Sequence, residues 1–152
     1  MGFDTIDKKL IQLLQTDSKL TNKALANALN LSVTAVYERI KKLENQGVIN
    51  GYVALVNKEK VDKTFLAYCH VKLEKHSQDY VMKFEKDVAN LSEVMECYHL
   101  SGDYDYLLKV VVKDMVAFRE FMVNKLTTIN HIGSTHSMFV INEVKHSTVI
   151  PV

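Results

Sequence analysis

Through the first fifty residues apolar side chains recur at every third or fourth position: Ile6, Leu10, Ile11, Leu13 and Leu14, then Ala24, Leu25 and Ala28, then Val36, Ile40 and Leu43. That spacing gathers each set on one face of a helix. A short polar residue opens each run. Asp4, Thr21 and Ser32 stand where an N-cap side chain can accept from the first turn's backbone N–H groups. Asp17-Ser18-Lys19 interrupts the first run, Asn30-Leu31 makes a tight turn after the second, and Gly47 stands where a C-cap glycine belongs. Three short helices, with a turn of about four residues between the second and third, describe a helix-turn-helix.

After Gly47 the period changes. Residues 48–56 and 64–73 are rich in β-branched and aromatic side chains and are predicted to be strands. Residues 77–90 return to helical spacing, with Tyr80, Val81, Phe84 and Val88 on one face. Strands are expected over 93–100 and 104–113, joined by Ser101-Gly102-Asp103. A helix over 115–129 aligns Met115, Phe118, Met122 and Ile129, and a last strand covers 132–144. From residue 64 the order is β-α-β-β-α-β, the ferredoxin-like split unit with an antiparallel sheet.

The fold class is therefore α+β. Residues 1–50 are expected to form a helix-turn-helix (winged-helix-like) domain, 51–63 a strand and linker, and 64–152 a βαββαβ domain. The boundary falls in the charged, apolar-poor run over 57–63. Two helices on one face of a four-stranded sheet leave the other face in need of a partner, so a homo-oligomer is expected.

Composition narrows this picture only a little. The formal net charge is +1. Residues 1–50 carry seven Lys/Arg against five Asp/Glu, the remainder twelve against thirteen, so overall basicity does not advertise nucleic acid. No apolar stretch reaches the roughly 18 residues of a spanning helix, and Met1-Gly2-Phe3-Asp4 lacks a signal peptide's charged start. A cytoplasmic protein without membrane contact is expected. Two cysteines, Cys69 and Cys97, suit a reducing compartment.

The third helix carries the candidate chemistry. Thr34, Ala35, Tyr37, Glu38, Lys41 and Lys42 point away from its apolar face, and Arg39 joins the two lysines in a basic end. A recognition helix needs small or polar residues near its N-terminus for base edges, and cations for phosphates. A solvated charged face would look much the same. No metal site or cofactor is expected. Cys69 and His70 are strand neighbours pointing to opposite faces, and Cys97 and His99 lie two strands away, about 10 Å. Nor is enzyme activity expected: Asp103 and Asp105 could pose as an acid/base pair, but no nucleophile or phosphate loop accompanies them.

The order of the motifs decides between these readings. Leu25-Ala26, Leu29, Leu31-Ser32, Val36, Arg39-Ile40, Leu43-Glu44, Gly47-Val48-Ile49 and Gly51-Tyr52 resemble the Lrp/AsnC (leucine-responsive and asparagine-responsive, feast/famine) family of transcriptional regulators. Upstream, the run from Asp4 to Gln15 with Asp17 looks like that family's opening helix. Downstream, the run from Gly102 to Met115 looks like its sensing-domain core. The resemblance covers essentially the whole chain.

It implies a recognition helix over 32–45, with Ser32, Val33, Thr34, Ala35 and Tyr37 nearest the bases and Arg39, Lys41 and Lys42 on phosphates of double-stranded DNA. It also implies an effector pocket for an amino-acid-like molecule. Gly102, Asp103, Tyr104, Asp105 and Tyr106 of one copy would face Thr135 and Ser137 of a neighbour, in dimers that assemble further, as far as an octamer. Three positions depart from the family pattern: Val33 replaces a frequent Pro, Lys19 a usual Arg, and Asn130-His131-Ile132 a frequent Pro-Gly-Val. Asn and His tolerate positive φ better than most residues, so this last turn can survive. The rival function is an effector-independent architectural DNA-binding protein.

Overall fold

The structure, a computed structural model, describes Gly2 and residues 4–152. It divides into two compact units: the chain up to Leu55 together with Val144–Val152, and Val56–Glu143.

The first unit is built on α1 (Thr5–Thr16), α2 (Asn22–Leu29) and α3 (Val33–Asn45). Each begins at its expected cap. Asp4 accepts from the Asp7 N–H, Thr21 from Ala24 and Ser32 from Ala35, which satisfies one otherwise unpaired donor per helix. Between α2 and α3, Asn30 adopts left-handed backbone (φ 58°), and the Leu31 N–H returns to the Ala26 carbonyl. That turn sets α3 against α2. Leu10, Ile11, Leu14, Leu25, Ala26, Val36 and Leu43 are buried together as the core. The segment Val144–Val152, expected with the second domain, belongs here. Gln15 pairs with Ile150 twice, its amide donating to the carbonyl at 2.9 Å and accepting from the N–H at 2.7 Å.

The strand predicted over 48–56 does not form. The N–H groups of Val48 and Ile49 both donate to the Leu43 carbonyl and finish α3, and their side chains pack on the helical core. Beyond them Val53, Leu55 and Val56 are exposed, with no ladder partner among the described residues. β-Propensity needs a neighbouring strand to act on. A 3-10 turn follows at Lys58–Val61.

The second unit runs β1 (Phe65–Leu73), α4 (Gln78–Ala89), β2 (Val94–His99), β3 (Tyr106–Val112), α5 (Met115–Asn124) and β4 (Ile132–Phe139). This is the expected β-α-β-β-α-β order. The sheet is antiparallel in the order β2-β3-β1-β4. Two expected elements end early: α5 gives way to a 3-10 turn at Leu126–Thr128, and β4 stops at Phe139. Alternation along β1 sends Ala67, Cys69, Val71 and Leu73 into a core with Phe84 and Val88 of α4 and Phe118 and Phe121 of α5. Tyr68, His70 and Lys72 point to the opposite face, which neither α4 nor α5 covers, alongside Leu107, Lys109, His136 and Met138.

His131 takes up φ 69° at the turn into β4. The Asn-His-Ile departure thus keeps a left-handed turn, closed by the Glu74 N–H on the His131 carbonyl and by stacking of His131 on Tyr80 at 3.6 Å.

Candidate DNA-reading helix and effector site

The Ser32 cap starts α3 in an exposed position. Val33, Thr34 and Tyr37 are exposed beside it and Ala35 is half-buried, while Val36 and Leu43 fix the opposite face in the core. The base-reading set predicted from sequence therefore lies along one accessible helix edge. Its first-turn N–H groups give that end a partial positive charge suited to a phosphate.

The three cations divide. Lys42 is exposed, with its ammonium 3.7 Å from Asp7. Lys41 pairs with Glu44 at 2.7 Å and lies 5.9 Å over the Tyr37 ring. The bond to Glu44 raises the lysine's pKa and lowers the carboxylate's. Arg39, the third expected phosphate contact, is already engaged within the fold. Its guanidinium turns inward, where one nitrogen donates to Asp4 at 2.7 Å and to Asp7 at 2.6 Å. Asp7 is buried, so swinging Arg39 outward would leave its carboxylate to the more distant Lys42 alone. These contacts tie α3 to the start of α1.

The predicted effector turn also separates into roles, because alternation sends neighbouring residues to different faces. Gly102 and Asp103 remain on the exposed turn. Gly102 sits at φ 131°, which side-chain-bearing residues rarely adopt, with open space where a Cβ would be. Tyr104 turns to the open sheet face against His70, ring centroids 4.9 Å apart. Tyr106 is a correction: its ring is buried under α4, stacked with His99 and 4.5 Å from Phe84, and its hydroxyl donates to Glu85 at 2.9 Å. Burial, and then that acceptor, push its pKa far above the ordinary phenol value.

Asp105 is buried and its polar atoms are committed. Its N–H donates to the Val71 carbonyl and its carbonyl accepts from Leu100. One carboxylate oxygen accepts from the Leu73 N–H at 2.7 Å, and the other lies 2.6 Å from Nε2 of His76. Burial pushes this carboxyl up, but the Leu73 and His76 contacts outweigh it and hold the group below the usual carboxylate range. An ammonium-binding role for Asp105, one of the uses its position suggested, is thus displaced by these partners.

Thr135 and Ser137 on β4 stand opposite Val71 and Cys69 of β1, with the Ser137 hydroxyl 3.5 Å from the Cys69 thiol. Within one chain β1 separates them from β3 and the turn, roughly 10 Å away. The single chain does not bring the two halves of the predicted pocket together. His76, on the β1–α4 connection, was missed by sequence reasoning. It precedes an unremarked Ser cap, and nothing in the local pattern links it to a carboxylate 29 residues later. No group of three metal-ligating side chains occurs among the described residues, and no helix of theirs is long and apolar enough to cross a membrane.

Residues 3–50 match the winged helix-turn-helix DNA-binding family, and residues 66–150 match the Lrp/AsnC ligand binding domain. The DNA-binding transcriptional activator DecR of Escherichia coli is 35% identical over 149 residues, spanning 98% of both chains. The leucine-responsive regulatory protein of the same organism is 37% identical over 95% of this chain and 88% of its own length. Among solved structures, a Neisseria meningitidis transcriptional regulator in complex with L-Met superposes with a TM-score of 0.94 at 33% identity, covering 99% of this chain and 97% of that one. An AsnC family transcriptional regulator from Agrobacterium tumefaciens also gives 0.94, at 36% identity and 98% and 97% coverage. A capped, exposed α3 on a helix-turn-helix and a βαββαβ ligand-binding unit thus recur together along the whole chain, which belongs to the Lrp/AsnC family of transcriptional regulators.

Proposed function

We propose that this regulator binds operator DNA sequence-specifically as a homo-oligomer and changes its binding when an amino acid occupies the second unit. The observation that carries the DNA half is the accessible edge of α3, where Ser32, Val33, Thr34, Ala35 and Tyr37 precede Lys41 and Lys42. Side chains of that size reach base edges in a major groove, and the two lysines supply phosphate attraction. Arg39 supports the helix from behind.

The effector half rests on the matched ligand-binding domain and on the L-Met bound to the Neisseria relative. Gly102, Asp103 and Tyr104 form the accessible part of the site, braced by Asp105, and Thr135 and Ser137 come from a neighbouring copy. The sheet face carrying Tyr68, His70, Leu107 and Met138, uncovered by α4 and α5, supports association of copies. Regulation then works through binding equilibria, in the cytoplasm where the DNA is, with no chemical step. The effector shifts assembly only as far as its affinities for the competing states differ.

Selection of bound duplexes from a randomised pool, with and without each common amino acid, tests this reading. A recurring, roughly two-fold symmetric motif whose recovery changes with at least one amino acid is the expected result. Enrichment without any recurring motif, or recovery indifferent to every amino acid, refutes it in favour of an architectural role.

A further inference from the structure

We propose that Val33 and Tyr37 read thymine methyl groups, so that each half-site of the operator presents a thymine to each of them in the major groove. The inference rests on the DNA-binding reading above and names the base chemistry that α3 selects. Val33 and Tyr37 stand at i and i+4, where side chains are neighbours on one helix face. They are 47% and 46% exposed, while Val36 between them in sequence is buried on the other side. Neither belongs to the helical core or to the apolar residues packed against it. The edge that meets DNA thus carries two large apolar groups that the fold itself does not use.

A base pair's major-groove edge offers hydrogen-bonding groups and one apolar mark, the C5-methyl of thymine. Purines are read there by Arg, Lys, Asn or Gln side chains that bond in pairs. From Val33 to Glu44 the helix contains no Asn or Gln. Its one arginine, Arg39, is bonded to Asp4 and Asp7, and Lys41 is bonded to Glu44. Such a helix meets base edges mainly through its N-terminal residues, and Lys41 and Lys42 lie in the third turn, beyond them. Thr34 and Glu38, exposed on the same stretch, supply hydrogen bonding, a hydroxyl in either role and a carboxylate accepting from cytosine N4. The discriminating surface that remains is apolar, and only thymine matches it. The Lys41 ammonium, 5.9 Å over the Tyr37 ring, favours one placement of that ring before DNA arrives.

The test takes a duplex recovered by selection with the full chain and replaces each thymidine in turn by 2′-deoxyuridine, which removes the methyl and keeps every hydrogen-bonding group. Anisotropy titrations should find two thymines per half-site at which the replacement weakens binding roughly 3- to 10-fold. Val33→Ala should lose the distinction between thymine and uracil at one of these positions, and Tyr37→Ala at the other. Tyr37→Phe, which keeps the ring, should retain both distinctions. The salt slope should match wild type in all three variants, because neither contact involves a phosphate. A duplex indifferent to uracil at every position overturns the assignment. So do methyl effects that survive unchanged in both alanine variants, and survival in one alone removes that residue as a reader. Should an alanine variant fail to fold by circular dichroism, Val33→Ser or Tyr37→Gln takes its place with the same expectation. A selection that recovers no recurring motif overturns the sequence-specific reading itself, and these contacts with it; a motif without methyl dependence overturns only the contacts.

Discussion

Arg39→Ala separates two incompatible roles for one cation. If Arg39 grips a phosphate, its loss leaves the fold intact and reduces the slope of log affinity against log salt by about 0.9 per contact. The structure gives it the other role. Its guanidinium is the closest neutralising group to Asp7, a buried carboxylate, at 2.6 Å, and Lys42 is a poorer substitute at 3.7 Å. Removing one partner of a charged, buried hydrogen bond costs about 1.5–3 kcal/mol, with the lower half of that range favoured because Arg39 is partly exposed and Lys42 remains. A loss of about 2 kcal/mol in a unit of this size lowers its melting temperature by roughly 8–16 °C. Calorimetry of the full chain, which resolves the two units if they unfold separately, reads this directly. Salt titration of DNA binding below the variant's transition should return the wild-type slope. A variant with unchanged melting and a shallower slope would refute the clamp and restore Arg39 to the phosphates. Asp7→Asn should show most of the same destabilisation, and the double variant should lose far less than the sum of the two.

Lys42→Ala should weaken binding to all duplexes alike and lower the salt slope by about 0.9 per half-site, seen in anisotropy titrations at several salt concentrations; a loss confined to one sequence would make Lys42 a base reader. Gly102→Val meets no neighbouring atom but places a β-branched residue at φ 131°, so titration calorimetry should show effector binding lost while operator affinity survives. Asp105 is held below its ordinary pKa in the fold, so its contribution is present above the unfolded value near 3.9 and disappears as pH falls through the lower folded value. Urea midpoints of wild type and Asp105→Asn should therefore differ at pH 6 and converge towards pH 3; a gap that persists there would assign the effect to packing.

Where the physics is local, the sequence already carried the structure. Asp4, Thr21 and Ser32 act on N–H groups three residues ahead, and the alternation of β1 and β3 sorts their two faces without reference to anything distant. The tolerance of His131 for positive φ is likewise a property of one residue. Long-range partners were not legible. Arg39 looked like a surface cation because Asp4 and Asp7 lie 35 and 32 residues earlier. Asp105 looked like a free turn acid because its partners lie some thirty residues earlier, Leu73 at the end of β1 and His76 on the connection that follows it. Residues 48–56 have strand composition, yet a strand exists only with a neighbour to pair with, and composition is silent on neighbours.

The pairing of Gln15 with Ile150 makes the DNA-binding unit discontinuous: Val56–Glu143 is inserted between its two pieces. The α1 helix can be made and packed against α2 and α3 long before residues 144–152 exist, but its outer edge is finished only once the whole sensing unit has been synthesised. Closing a loop of this length costs only slightly more entropy than closing one half as long, and side-chain amide bonds from Gln12 and Gln15 meet the strap at its end. The insertion also gives the two units two covalent junctions, one after Leu55 and one after Glu143.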